Sequence, residues 1–311
     1  MKKTFCIFLS ALLCLAALVS CKGEEKTEDI RKTMYAELTD YYAGKRVSSY
    51  LEAASLYAAG SDLKERDCTE LFEASVPDPE YVISYCILTK AGASTGSATN
   101  IENRISALLN AIDRVQTLDT ETLYKTVAAL ELCGAEYDRA AVARSLAERQ
   151  DEVSGGSYEY PQKSGSSSHI SAGSTAASLM TYLLIRDKVG TRVYEDTLHD
   201  SALIYLGNCI EYDNSVNDYN GVSSSVATAR VLIALISSGI PLGGEMSTAL
   251  LNAIHKFAVI QGGALYGYRE TANAEGKKST ASEILFCVTC TLYGNPFLQE
   301  KQSAQSGTEN Q

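Results

Sequence analysis

The chain has 311 residues, with 27 lysines and arginines against 38 aspartates and glutamates, a formal net charge of −11. So acidic a balance argues against a nucleic-acid partner and against a basic membrane-binding face. The length suffices for one large core or two small ones, and the acids are scattered, as on a solvated surface.

Lys2 and Lys3 precede an apolar run from Phe5 to Val19, too short for a spanning helix. The run closes on Leu18-Val19-Ser20-Cys21, which resembles a bacterial lipobox. That resemblance implies cleavage before Cys21 and its acylation, which anchors the chain stably because several acyl chains share one residue. Residues 1–20 are thus expected to be a lipoprotein signal peptide and 21–28 a polar tether. A single domain follows over 29–298, with a frayed tail over 299–311. The expected location is extracytoplasmic, in the cell envelope.

Apolar spacing at helical period predicts twelve helices, near 29–43, 47–60, 66–75, 78–91, 101–115, 120–133, 138–149, 173–187, 193–211, 223–238, 244–259 and 278–293. Asp78, Asp119, Ser174 and Ser279 are suited to start helices, and Gly60, Gly92, Gly134, Gly239 and Gly294 to end them. No period-two alternation appears, so little or no strand is expected. Leu56, Leu88, Leu130 and Leu235 each stand four residues before a glycine. Intervening helices are more charged, as Ser145, Glu148 and Arg149 illustrate.

Longer-range similarity joins these helices. Ala129-Leu130 with Gly134 matches Ala234-Leu235 with Gly239, and Ser174-Thr175-Ala176 matches Ser279-Thr280-Ala281. Gly155-Gly156 before Tyr158 and Tyr160 matches Gly262-Gly263 before Tyr266 and Tyr268. Repeats of this kind bury their apolar faces against one another. The pattern implies an all-α fold of about six helical hairpins closed into an α/α toroid, with a linear solenoid as the competing arrangement.

The segments Leu146 to Ala177 and Phe257 to Ser282, each with a Gly-Gly-aromatic loop and a Ser-Thr helix start, resemble the repeat of protein prenyltransferases and squalene cyclases. The resemblance implies the toroid shared by terpenoid cyclase-like proteins. Their chemistry does not carry over. No Asp-x-Asp-Asp is present, Asp67-Cys68 lacks the spacing of the prenyltransferase zinc ligands, and Cys133-Gly134-Ala135-Glu136 lacks the glutamine of a thioester. Fold alone assigns no function.

Generic chemistry is sparse. His169, His199 and His255 are never at metal-binding spacing, and His199 and His255 are expected on solvated outer helices. Cys68, Cys86, Cys133, Cys209, Cys287 and Cys290 fall on apolar stripes and read as packing residues. The loop from Tyr212 to Gly221 is rich in oxygen ligands but lacks EF-hand spacing, so it reads as an Asx-turn rather than a calcium site. No metal and no cofactor are expected.

Tyrosine is abundant, at 19 residues with no tryptophan and 6 phenylalanines. The toroid implied above would bring Tyr158, Tyr160, Tyr219, Tyr266 and Tyr268 to the ring mouth. Tyrosine suits ligand surfaces, although the lack of tryptophan counts against a sugar-stacking platform. The candidate site is Tyr158, Tyr160, His169, Ser174, Thr175, Tyr266, Tyr268, Arg269, Ser279, Thr280 and Glu283. Helix N-termini at Ser174 and Ser279 would favour an anionic or carbonyl-bearing partner there. The sequence leans towards a non-catalytic module, membrane-anchored through Cys21, that binds a small molecule, peptide or envelope component. The alternatives are an envelope enzyme of the same fold acting on a lipid, isoprenoid or glycan, and a scaffold with a filled ring centre.

Overall fold

The structure, a computed structural model, describes residues 29–161, 169–189 and 197–298. The expectations for the signal peptide, Cys21, the tether and the tail lie outside the described residues. No described helix is long and apolar enough to cross a membrane.

The fold is all-α. Eleven α-helices occur among the described residues: α1 (Ile30–Tyr42), α2 (Tyr50–Ala58), α3 (Asp78–Lys90), α4 (Ile101–Ile112), α5 (Thr120–Cys133), α6 (Arg139–Arg149), α7 (Ala172–Ile185), α8 (Thr197–Asn208), α9 (Ser225–Ser237), α10 (Glu245–His255) and α11 (Lys278–Tyr293). The helix expected over 66–75 is replaced by two short 3₁₀ turns, Leu63–Glu65 and Thr69–Phe72. Asp62 and Asp67 accept bonds from the backbone N–H groups of Lys64 and Thr69 there, an alternative to helical pairing.

Helices α2, α3, α5, α7, α9 and α11 each pack against the next in that order, and α11 returns to α2. The adjacency is therefore cyclic. The other helices lie against this cycle: α4 on α3 and α5, α6 and α8 on α7, α10 on α9 and α11, and α1 on α10 and α11. Burial follows the same division. Helix α9 buries 10 of its 13 residues, as an element surrounded by neighbours must, whereas α4 buries only Leu108 and Ile112, one turn apart on a single stripe.

The leucine-to-glycine spacing marks how ring helices end. Gly60, Gly92, Gly134 and Gly239 all adopt positive φ, from 65° to 101°. Each lets the following N–H reach back to the leucine carbonyl: Ser61 to Leu56, Ala93 to Leu88, Ala135 to Leu130 and Ile240 to Leu235, at 2.9 to 3.1 Å. Two otherwise orphaned groups are satisfied at every such end.

Strand content departs from expectation. Three short antiparallel hairpins occur among the described residues: β1 (Ser157–Tyr158) with β2 (Ile170–Ser171), β3 (Val216–Asn217) with β4 (Ser223–Ser224), and β5 (Ala258–Gln261) with β6 (Ala264–Tyr268). The first two pairs are two residues long and can show no alternation. The third truncates the helix expected over 244–259 at His255. The glycine pairs are not equivalent either. Gly262 and Gly263, at φ 59° and 82°, form the open tip of β5–β6. Gly155 and Gly156 instead pack tightly before β1, where a Cβ on Gly156 would lie 2.5 Å from Ile170 and 2.7 Å from Tyr205.

The six cysteines named above carry free thiols, and Cys68, Cys86, Cys287 and Cys290 are buried. Burial pushes the Cys68 thiol up to about 11 and that of Cys86 to about 12.

Candidate functional site

The starts of α5, α7 and α9 converge at one end of the ring. Asp119 caps α5, accepting from Thr122 N at 2.8 Å and Thr122 Oγ1 at 2.6 Å. Ser171 caps α7 and Ser224 caps α9, through Ser174 N and Ala227 N at 3.0 and 3.2 Å. One turn in, buried Thr175 and Thr228 donate to the Ser171 and Ser224 carbonyls and accept from Ser157 N and Val216 N. Each hairpin is thereby pinned to the helix that follows it.

These starts and the loops beside them line a cleft of about 540 Å³. Its walls carry Asp119, Glu121, Glu159, Asp218 and Glu270, with His169, Asn217, Tyr219, Arg230 and the small residues Ser171, Gly173 and Ser174. Tyr219 is 79% exposed and offers an open aromatic face.

One wall is held by an unusual residue. Arg149 was expected on a charged outer face, but it is fully buried, as is Ser145. Its guanidinium donates to the carbonyls of Glu159, Val115 and Leu118 at 2.7, 3.0 and 2.8 Å, and to Ser145 Oγ at 3.3 Å. Burial lowers its pKa to about 10. The Glu159 carbonyl also accepts from Thr120 N at 3.0 Å, so Arg149 ties the loop before β2 to the start of α5.

Beneath the cleft the ring axis carries a chain of charges. Lys125 Nζ meets Glu80 at 2.8 Å and Glu121 at 3.0 Å, and Arg230 meets Glu121 at 2.9 Å and Glu283 at 3.2 Å. Burial works against the charge on Arg230, but the carboxylates of Glu283 and Glu121 outweigh it and hold the guanidinium firmly protonated. For Glu121 burial is outweighed by Arg230 and Lys125, and its pKa falls. A smaller cavity of about 60 Å³ adjoins these groups, walled by Tyr50, Leu51, Tyr124, Ala176, Ala177, Met180, Ile233 and Phe286. The ring centre is thus neither filled nor purely apolar.

The sequence-expected residues divide among separate places. His169 and Ser174 line the cleft, and Glu283 lines the cavity below. Thr175 is structural, as described. Tyr158 bonds its hydroxyl to Asp151, and Tyr160 sits beside Asp119 and Arg149; neither lines the cleft. Tyr266 lines a second cleft of about 660 Å³ with Glu37, Asp40, Tyr41, Lys45 and Lys278. Tyr268 is fully buried, and burial followed by the Glu37 charge raises its pKa. Arg269 is exposed, its guanidinium 3.5 Å from the Ala272 carbonyl. Ser279 is exposed and Thr280 is 5% exposed. The tyrosines expected on one rim are therefore distributed because the glycine pairs occupy different structural positions.

The cleft does not favour an anion. The starts of α5, α7 and α9 are capped by their own side chains, α11 has no side-chain cap, and the cleft holds five carboxylates against an arginine already paired twice. Of the other histidines, His255 pairs with Glu37 at 2.8 Å, and His199 is largely buried against Asp200 at 3.2 Å. In the loop between α8 and β4, Asp213 and Asp218 each accept through Oδ1, from Ser215 N and Asn220 N, as in Asx-turns. No cluster of metal-ligating side chains occurs among the described residues.

Lys125, Arg230, Glu121, Glu80, Tyr50 and Tyr124 were missed from the sequence. A signal was present. Counting from Thr120, Ala172, Ser225 and Lys278, the sixth residues of α5, α7, α9 and α11 are Lys125, Ala177, Arg230 and Glu283. Three of these four positions are charged, at one register of helices whose buried residues are mostly apolar, and they meet at the ring axis.

No protein-family model matches the chain, and no curated protein matches it. Among solved structures, a polysaccharide lyase is similar at a TM-score of 0.44 and 13% sequence identity, over 85% of this chain and 90% of that one.

Proposed function

We propose that the chain is an α/α-toroid lipoprotein of the bacterial cell envelope, anchored through Cys21, that binds a saccharide across the mouth formed by α5, α7 and α9. The observation that carries this reading is the composition of the cleft of about 540 Å³: carboxylates, hydroxyls and an amide line it together with the exposed Tyr219 ring. Carboxylates and amides accept and donate to sugar hydroxyls. Tyr219 supplies the aromatic face that tryptophan does not. The acidic walls favour neutral saccharides over polyanionic ones. Binding without catalysis is the first reading. Glycan cleavage is the second, favoured by His169 and Tyr219 lining the same cleft, two side chains able to move a proton.

Titration calorimetry with soluble neutral disaccharides tests the first reading. Binding is expected in the wild type and about tenfold weaker binding in Tyr219→Ala. No heat with any disaccharide refutes it. Release of new reducing or unsaturated ends from oligosaccharides would move the assignment to the second reading.

A further inference from the structure

The small cavity on the ring axis has a composition that suits one chemical group. Where α5, α9 and α11 project Lys125, Arg230 and Glu283, α7 presents only the methyl of Ala177. The cavity of about 60 Å³ lies against that methyl. Ala177 is half-buried, while its neighbours Ala176 and Ser178 are buried. Glu121 and Arg230 line both this cavity and the mouth cleft, so a ligand lying in the mouth has the cavity directly beneath it.

We propose that this cavity is an acetamido subsite and that the ligand is an N-acetylated saccharide. This rests on the saccharide reading of the mouth. One water-sized sphere occupies about 10–15 Å³ of such volume, so the space admits about four to six atoms, and an acetamido group has about four. Its carbonyl can accept from Arg230, its N–H can donate to Glu121 or Glu283, and its methyl faces Ala177, Met180 and Phe286. A hydroxyl leaves the apolar wall uncovered. The lining carries two cations, Lys125 and Arg230, and two carboxylates, Glu121 and Glu283, so a carboxylate or an ammonium meets like charges as well as opposite ones and leaves the apolar wall bare, whereas a neutral amide pairs with both signs. The partner expected from the helix starts to bear a carbonyl finds its donor here, one turn deeper.

The test uses the full-length chain in detergent micelles and three disaccharides: diacetylchitobiose, its de-N-acetylated counterpart, and cellobiose. A buried methyl and one net hydrogen bond correspond to a preference of about tenfold for the acetylated sugar over cellobiose. Ala177→Leu fills the cavity and should bring the two sugars to the same affinity. Ala177→Val provides a milder filling if the leucine variant does not melt cooperatively. Equal affinities in the wild type, a preference surviving both substitutions, or tightest binding of the de-N-acetylated sugar would overturn the subsite while leaving the mouth as the saccharide site. Failure of all three sugars to bind refutes the mouth itself.

Discussion

Replacing Arg149 with methionine probes the wall of the cleft. The methionine keeps most of the side-chain volume and removes every donor. The Leu118 carbonyl then loses its partner, while those of Glu159 and Val115 keep only Thr120 N at 3.0 Å and Leu118 N at 3.4 Å, in a region where Arg149 itself has no exposure. A buried acceptor left unpaired costs about 1–3 kcal/mol. The desolvation of the guanidinium is no longer required, which offsets part of that sum. The expected net loss is about 1–3 kcal/mol, or roughly 5 °C in melting temperature for a domain of this size. Urea denaturation followed by circular dichroism measures it. Arg144→Met is the control, because Arg144 is 54% exposed and its pair with Asp138 is 3.5 Å long, so its loss should cost under about 0.5 kcal/mol. If Arg149→Met costs no more than that control, the assignment of Arg149 as the staple of this wall is wrong.

Glu52 offers a pH test: burial raises its carboxyl to about 6 from the usual 4.5, so the folded state binds the proton more tightly than the unfolded chain. Stability should therefore fall as pH rises from 4.5 to 6 and carry a constant penalty of about 2 kcal/mol above that; Glu52→Gln should stabilise by up to about that amount at pH ~7.5 and not at pH ~4, and no gain at the higher pH would count against it. Gly156→Ala should destabilise by about 2 kcal/mol or more, because its Cβ meets Ile170 and Tyr205, whereas Gly262→Asn at the open hairpin tip should cost little; equal losses in thermal melts would contradict the distinction between the glycine pairs. Cys21→Ala should abolish acylation and membrane retention, read by mass spectrometry and fractionation, and normal acylation of the variant would remove the anchor from the account.

The fold was legible where a local rule recurs. The leucine four residues before a glycine is such a rule, because the left-handed glycine and the bond back to the leucine carbonyl are local events. The cyclic packing follows from six helices that share this ending or a Ser-Thr start. What escaped was set by distant contacts. Arg149 looks like a surface charge in sequence, and its burial depends on carbonyls 31 and 34 residues away. The Gly-Gly pairs look alike, yet one is fixed by Tyr205 packing and the other by strand pairing. The charged axis was half legible: Glu283 was singled out, whereas Lys125 and Arg230 at the same register were not.

Hydrogen exchange of the amides with and without diacetylchitobiose tests the central claim most directly. New protection is expected at the starts of α5, α7 and α9 and in the Asn217–Tyr219 loop, with β5–β6 unchanged. Protection confined to β5–β6 and the end of α1, around Tyr41 and Tyr266, would place the ligand in the second cleft and contradict it.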